Sequence, residues 1–103
     1  MRYRGEQAIG LIETIGMVPA LEAADKMLKA GDVRLIGYEN TASGYISILV
    51  EGDVAACEAA VAAGVKAVKA LGAEVYNSVV IARPHPSLKK ITDKYTVEKL
   101  LPY

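Results

Sequence analysis

The sequence of 103 residues contains no tryptophan and no phenylalanine, one cysteine, one histidine and no net charge. Each shortage closes off a class of function. A lone Cys57 excludes an intramolecular disulfide and a four-cysteine zinc site. Twelve Lys+Arg against twelve Asp+Glu leave no long-range field to draw in nucleic acid or an anionic membrane. The six tyrosines are scattered, which speaks against an aromatic platform for RNA. Behind the basic start Met1–Glu6, the first apolar segment is broken by Glu13, so neither a signal peptide nor a membrane span is expected there.

What is present is small apolar side chains. Hydrophobic residues make up 52% of the chain, much of it alanine and valine. A domain of this length buries only about two-thirds of its unfolded surface. Apolar surface beyond that need points to a subunit interface, and a neutral surface does nothing to oppose association.

The periodicities predict six elements in one domain, residues 1–103, with a core over about 7–91 and a C-terminal tail at 92–103. Ala8–Ile15 reads as a buried strand. Pro19 suits the first turn of a helix in which Met17, Leu21, Ala24 and Leu28 recur at helical spacing, with Gly31 as its stop. Val33–Glu39 and Tyr45–Glu51 read as strands. In the second, Ile46, Ile48 and Val50 alternate with Tyr45, Ser47 and Leu49. The link Asn40-Thr41-Ala42-Ser43-Gly44 is a five-residue hairpin connection. Asp53 is a natural N-cap for a second helix, with Val54, Cys57, Val61, Gly64, Val68 and Leu71 along one stripe, alanine elsewhere and Gly72 as its end. Val75–Ala82 is a fourth strand. Arg83-Pro84-His85-Pro86 breaks it, and the tail has room for a short strand or a short helix around Thr96–Leu100. The order βαββαβ is the split βαβ of a ferredoxin-like α+β fold, with both helices on one face of the sheet.

Nothing in this pattern assembles catalytic machinery. Arg83, Pro84 and Pro86 give His85 no ligand and no partner, so it reads as a turn histidine. Cys57 lies on an apolar helix stripe and reads as a buried small side chain. Glu13, at the end of an apolar strand and without a second carboxylate, reads as a hydrogen-bonded structural residue. An acylphosphatase-like cradle would need an arginine after the first strand, where this chain has Thr14-Ile15-Gly16-Met17. A second class remains open: a ligand-sensing regulatory oligomer of the same strand order, binding a small molecule between subunits.

Five blocks, taken together and in order, resemble one family. They are Ala8–Gly16 (AIGLIETIG), Glu22–Ala30 (EAADKMLKA), Leu35–Glu39 (LIGYE), Gly52–Ala56 (GDVAA) and Ile81–His85 (IARPH). Over residues 7–91 the chain is similar to bacterial microcompartment shell proteins of the hexamer-forming, single-domain type. The resemblance implies a cyclic hexameric disc and not an enzyme. Discs tile edge to edge into the facets of a shell in the bacterial cytoplasm. The partners implied are further hexamers, other shell proteins including vertex pentamers, enclosed enzymes or their targeting peptides, and small metabolites passing a central pore. No cofactor, metal, nucleic acid or membrane is implied.

Carried over position by position, the resemblance puts Asn40, Thr41, Ala42, Ser43 and Gly44 around the pore. Asp25, Lys29, Arg83 and His85 fall at the hexamer edge. The family commonly has lysine where Asn40 stands and glycine where Ala42 stands. Six lost charges weaken any preference for anions, and six added methyl groups narrow or re-aim the loop. The tail around Lys94-Tyr95-Thr96 is similar to carboxysome tiles. The loop and Ile81–Pro86 also fit tiles of an aldehyde-processing metabolosome of the glycyl-radical, ethanolamine or propanediol type, which is the compartment expected ahead of a carboxysome.

Overall fold

The computed structural model describes residues 7–40 and 43–93. Within them β1 (Ala8–Ile15), α1 (Met17–Ala30), β2 (Arg34–Asn40), β3 (Tyr45–Gly52), α2 (Val54–Ala70) and β4 (Val75–Ile81) follow one another. A 3-10 turn at Pro86–Leu88 and a short helix α3 (Lys89–Thr92) come after them. The four strands form one antiparallel sheet in the order β2-β3-β1-β4, which is the ferredoxin-like arrangement expected from the element order. The expected tail element at Thr96–Leu100 lies outside the described residues.

The core lies between the helices and one sheet face. Ile12 of β1 and Ile46, Ile48 and Val50 of β3 meet Ala20, Ala23 and Met27 of α1 and Ala60, Val61 and Val68 of α2. Burying a side chain such as Met27 contributes roughly 1.5–3 kcal/mol. The alternation expected in β3 is the one found. A smaller cluster of Ile9, Ile36 and Leu49, with Leu11 against it, occupies the opposite face.

The α1 stripe differs from the one that spacing suggests. Pro19, Ala20, Ala23 and Met27 are buried, whereas Met17, Leu21 and Leu28 stay 42%, 60% and 42% exposed. The two helices pack so closely that the contact face admits mainly alanine and glycine. The bulkier leucines are turned outward. Gly31 does end α1, but in an extended conformation (φ −135°). It is glycine because a Cβ there would stand 2.5 Å from the Ala56 carbonyl oxygen of α2. Asp53 caps α2 as expected, its Oδ1 accepting from the Ala56 N–H at 2.7 Å.

Two bulges set which side chains face which way. Between Leu35 and Gly37 the register of β2 on β3 slips by one. Arg34 thereby stands opposite Glu51 and forms an ion pair with it, and Ile36 is buried. Between Glu13 and Thr14 the register of β1 on β4 slips likewise, and Tyr76 is the extra residue.

Candidate functional site

The register separates the site residues into two groups. β1 runs away from Ala8, β2 runs in the same direction, and β3 and β4 run back. The Asn40–Gly44 hairpin therefore lies at the end of the sheet that also holds Ile15, Gly16 and Val75. The C-terminal end of α1, with Lys29, lies at the other end, where β4 delivers Arg83 and His85. An eight-residue strand separates them, roughly 25 Å of chain.

At the hairpin end, Asn40 pairs with Ile46 and Glu39 with Ser47. Asn40 and Ser43 are exposed; Thr41 and Ala42 lie outside the described residues. The hairpin is tied down at its far side, where the Gly44 carbonyl accepts from the Gly16 N–H at 2.9 Å. One polar row crosses the whole sheet beside it: Glu39, Ser47, Glu13 and Asn77 stand in successive register. The Ser47 hydroxyl donates to Glu13 Oε2 at 3.3 Å, which gives Glu13 the hydrogen-bonded role expected of it. Next to the row the rings of Tyr45 and Tyr76 meet at 4.5 Å between centroids and 55° between planes. Hydrogen bonding to Tyr76 is the first of the effects that raise the Tyr45 hydroxyl above its ordinary titration range, followed by the Tyr76 charge, desolvation and the Glu13 carboxylate. Sequence reasoning missed this pair, because a bulge places it.

At the opposite end, Lys29 pairs with Asp25 at 3.0 Å, one helical turn back. Lys26 pairs with Asp25 at 3.3 Å and with Glu22 at 3.5 Å. The Lys29 hydrogen bond, first among the causes, holds the Asp25 carboxyl below the usual carboxylate range. Arg83 is exposed, and so is His85. His85 begins the Pro86–Leu88 turn and accepts the Ser87 N–H on its Nδ1 at 3.1 Å, which is the turn role expected for it.

Cys57 is fully buried, with its thiol directed at the Ala8 carbonyl at 3.5 Å and the Gly52 carbonyl at 3.7 Å. Burial first, then the Asp53 charge, pushes that thiol up, so it is a packing residue. A groove of about 440 Å³ between α1 and α2 is walled by Lys26, Lys29, Lys66 and alanines. Its polar groups are lysine ammonium heads, and two of them are held in ion pairs: Lys26 bonds Asp25 and Glu22, and Lys29 bonds Asp25. Among the described residues no helix is long and apolar enough to cross a membrane, and no three His, Cys, Asp or Glu side chains gather as metal ligands.

Comparison with known proteins agrees with this architecture. The carboxysome shell protein CcmK1 of Thermosynechococcus vestitus is 47% identical over 85 residues, covering 82% of this chain and 75% of that one. The bacterial microcompartment shell protein PduA of Citrobacter freundii is 45% identical over 89 residues, covering 86% of this chain and 95% of that one. A crystal structure of a microcompartment protein from Desulfitobacterium hafniense superposes with a TM-score of 0.75 at 31% identity. That match takes in 88% of this chain and 49% of the other, so this chain spans about half the length of the solved one. Residues 8–84 match the BMC domain. With a family match over most of its length, a ferredoxin-like sheet and relatives that are themselves named as shell proteins, the chain belongs to the BMC domain family and is a bacterial microcompartment shell protein.

Proposed function

We propose that the chain forms cyclic hexamers whose Asn40–Gly44 hairpins ring a central pore, and whose outer edges join neighbouring hexamers into a shell facet. The observation that carries this reading is the separation of the two groups along the strands. A ring needs one end of each wedge at its axis and the other at its rim. The hairpin stands at one end, and Asp25, Lys29, Arg83 and His85 stand at the other. Edge contacts between flat discs are individually modest, but six per disc add through avidity. The partners are further hexamers, other shell proteins including vertex pentamers, and enclosed enzymes, with small metabolites crossing the pore.

The compartment we favour is an aldehyde-processing metabolosome. Its traffic is largely neutral alcohols and aldehydes, whereas carbon fixation near neutral pH draws mostly on the bicarbonate anion. The hairpin suits the former. Its residues Asn40 to Gly44 carry no charge, and the nearest charged side chain along the strand is the Glu39 carboxylate. A ring of polar groups without cations gives an anion no advantage over a neutral polar solute.

The assembly is tested by multi-angle light scattering at micromolar concentration together with electron microscopy of overexpressing cells. A mass of six chains and ordered sheets or tubes are expected. A stable monomer or trimer overturns the reading.

A further inference from the structure

The His85 imidazole holds its turn through a lone pair. Nδ1 accepts the Ser87 N–H at 3.1 Å, and the backbone closes the same turn with the Leu88 N–H on the His85 carbonyl at 2.9 Å. An imidazole can accept on Nδ1 only while that nitrogen carries no proton; protonated, both ring nitrogens are donors. Asparagine or aspartate would accept in the same place at every pH of interest. Histidine makes the contact conditional.

Charged residues flank His85 along the chain. Arg83 lies two residues before His85, and Lys89, Lys90 and Asp93 follow it in the turn and α3. Lys89 is already paired with Asp93 at 3.1 Å. A proton on His85 therefore adds positive charge to a stretch of chain that already carries three cations and one carboxylate. It turns the acceptor facing the Ser87 N–H into a competing donor.

We infer that His85 is a proton-operated latch on the Arg83–Leu88 turn: neutral, it pins the turn and presents Arg83 at the disc edge; protonated, it releases the turn and loosens edge-to-edge contact without dissolving the disc. The edge consequence rests on the tile reading above. The latch itself rests on the Nδ1 contact. The cap is present while the ring is neutral and is lost when Nδ1 takes up a proton.

Purified full-length chain, its His85→Asn variant, which caps at every pH, and its His85→Ala variant, which never caps, are compared at pH 8 and pH 5. Sheets are read by electron microscopy and hexamers by light scattering. Protection of the Ser87 amide is read by hydrogen exchange corrected for the intrinsic rate. The latch is upheld if wild-type sheets disperse between pH 8 and pH 5 with hexamers intact, while whatever sheets H85N and H85A form do not change with pH; where a variant forms none, Ser87 protection decides. Ser87 protection then falls roughly five-fold in wild type between pH 8 and 5 and stays constant in H85N, the scale of one lost cap. Wild-type sheets that persist at pH 5, or sheets of wild type and H85N that disperse together, overturn it. If no variant forms sheets at any pH, the tile reading falls, and Ser87 protection decides the latch alone: a fall confined to wild type upholds it, and constant protection overturns it.

Discussion

Gly64 of α2 faces Met27 of α1 so closely that a methyl group on it would stand 2.8 Å from Met27 Cγ and 3.3 Å from its sulfur. The same methyl would press on Ile12 Cδ1. Met27 and Ile12 are both fully buried, so neither can swing aside freely. Together with the Gly31 approach to Ala56 and the Gly10 approach to Val61, this contact keeps the helices and the sheet close.

Gly64→Ala is therefore expected to destabilise the chain, although alanine is the better helix former. Overpacking costs about 1–3 kcal/mol, against roughly 1 kcal/mol gained in helix propensity. The denaturation midpoint should fall. A midpoint that rises means the helices separate at little cost.

Arg34 and Glu51 allow a second test. Glu51, near the end of the inner strand β3, is 1% exposed and pairs with an arginine that is itself one-third open to water. Arg34→Met removes the main cation from a buried carboxylate and is expected to cost on the order of 2 kcal/mol, less than a fully buried pair because solvent screens the arginine. Arg34→Met combined with Glu51→Leu should recover most of the loss. A double-mutant cycle with no coupling between the two would refute the pairing's energetic role.

Lys29→Ala should leave hexamers intact in light scattering and abolish sheets in electron micrographs. It also removes the largest cause of Asp25's lowered titration, leaving Lys26 in place. Asp25 should then titrate closer to the ordinary carboxylate range by carbon-13 NMR. The sign follows from the depressed folded-state value. The Asp25–Lys29 contact stabilises above the carboxylate's unfolded titration and is lost as pH falls through the folded one. Unchanged sheets in the variant exclude Lys29 from the edge.

Asn40→Lys would put six positive charges around a six-fold axis. Hexamers reconstituted in planar bilayers should shift their reversal potential toward anion selectivity, with assembly unaffected. Ser43→Leu should reduce conductance without changing selectivity. If both variants conduct like wild type, the hairpin does not line the path.

Much of the fold was legible because local signals agreed. Asp53 before an alanine-rich run, alternation in Tyr45–Glu51 and proline at 84 and 86 each located an element boundary to within a residue or two. The bulges were not legible. An unbroken β2–β3 hairpin would have placed Arg34 opposite Gly52; the slip between Leu35 and Gly37 placed it opposite Glu51. A slip of one residue exchanges the two faces of a strand, and composition does not record it. The outward leucines of α1 were misleading for a related reason. Spacing finds a stripe, but the closeness of α2 selects the smaller residues for contact. The buried Cys57 and the turn position of His85 followed from their neighbours in sequence; the Nδ1 contact with Ser87 did not. The Tyr45–Tyr76 contact depended on a bulge and did not.

The hairpin joins β2 to β3 at one end of the sheet and the Arg83–Leu88 turn follows β4 at the other, roughly 25 Å apart along the strand direction. Changes that far apart, with no shared partner, combine additively. The fold is thus modular in a practical sense. An engineer can exchange the Asn40–Gly44 loop for another of equal length, anchored by the same Gly16 to Gly44 bond, and leave the lattice geometry untouched. On the tile reading proposed above, mutation and selection have the same freedom: one tiling pattern can be held constant while its permeability drifts from one metabolic cargo to another.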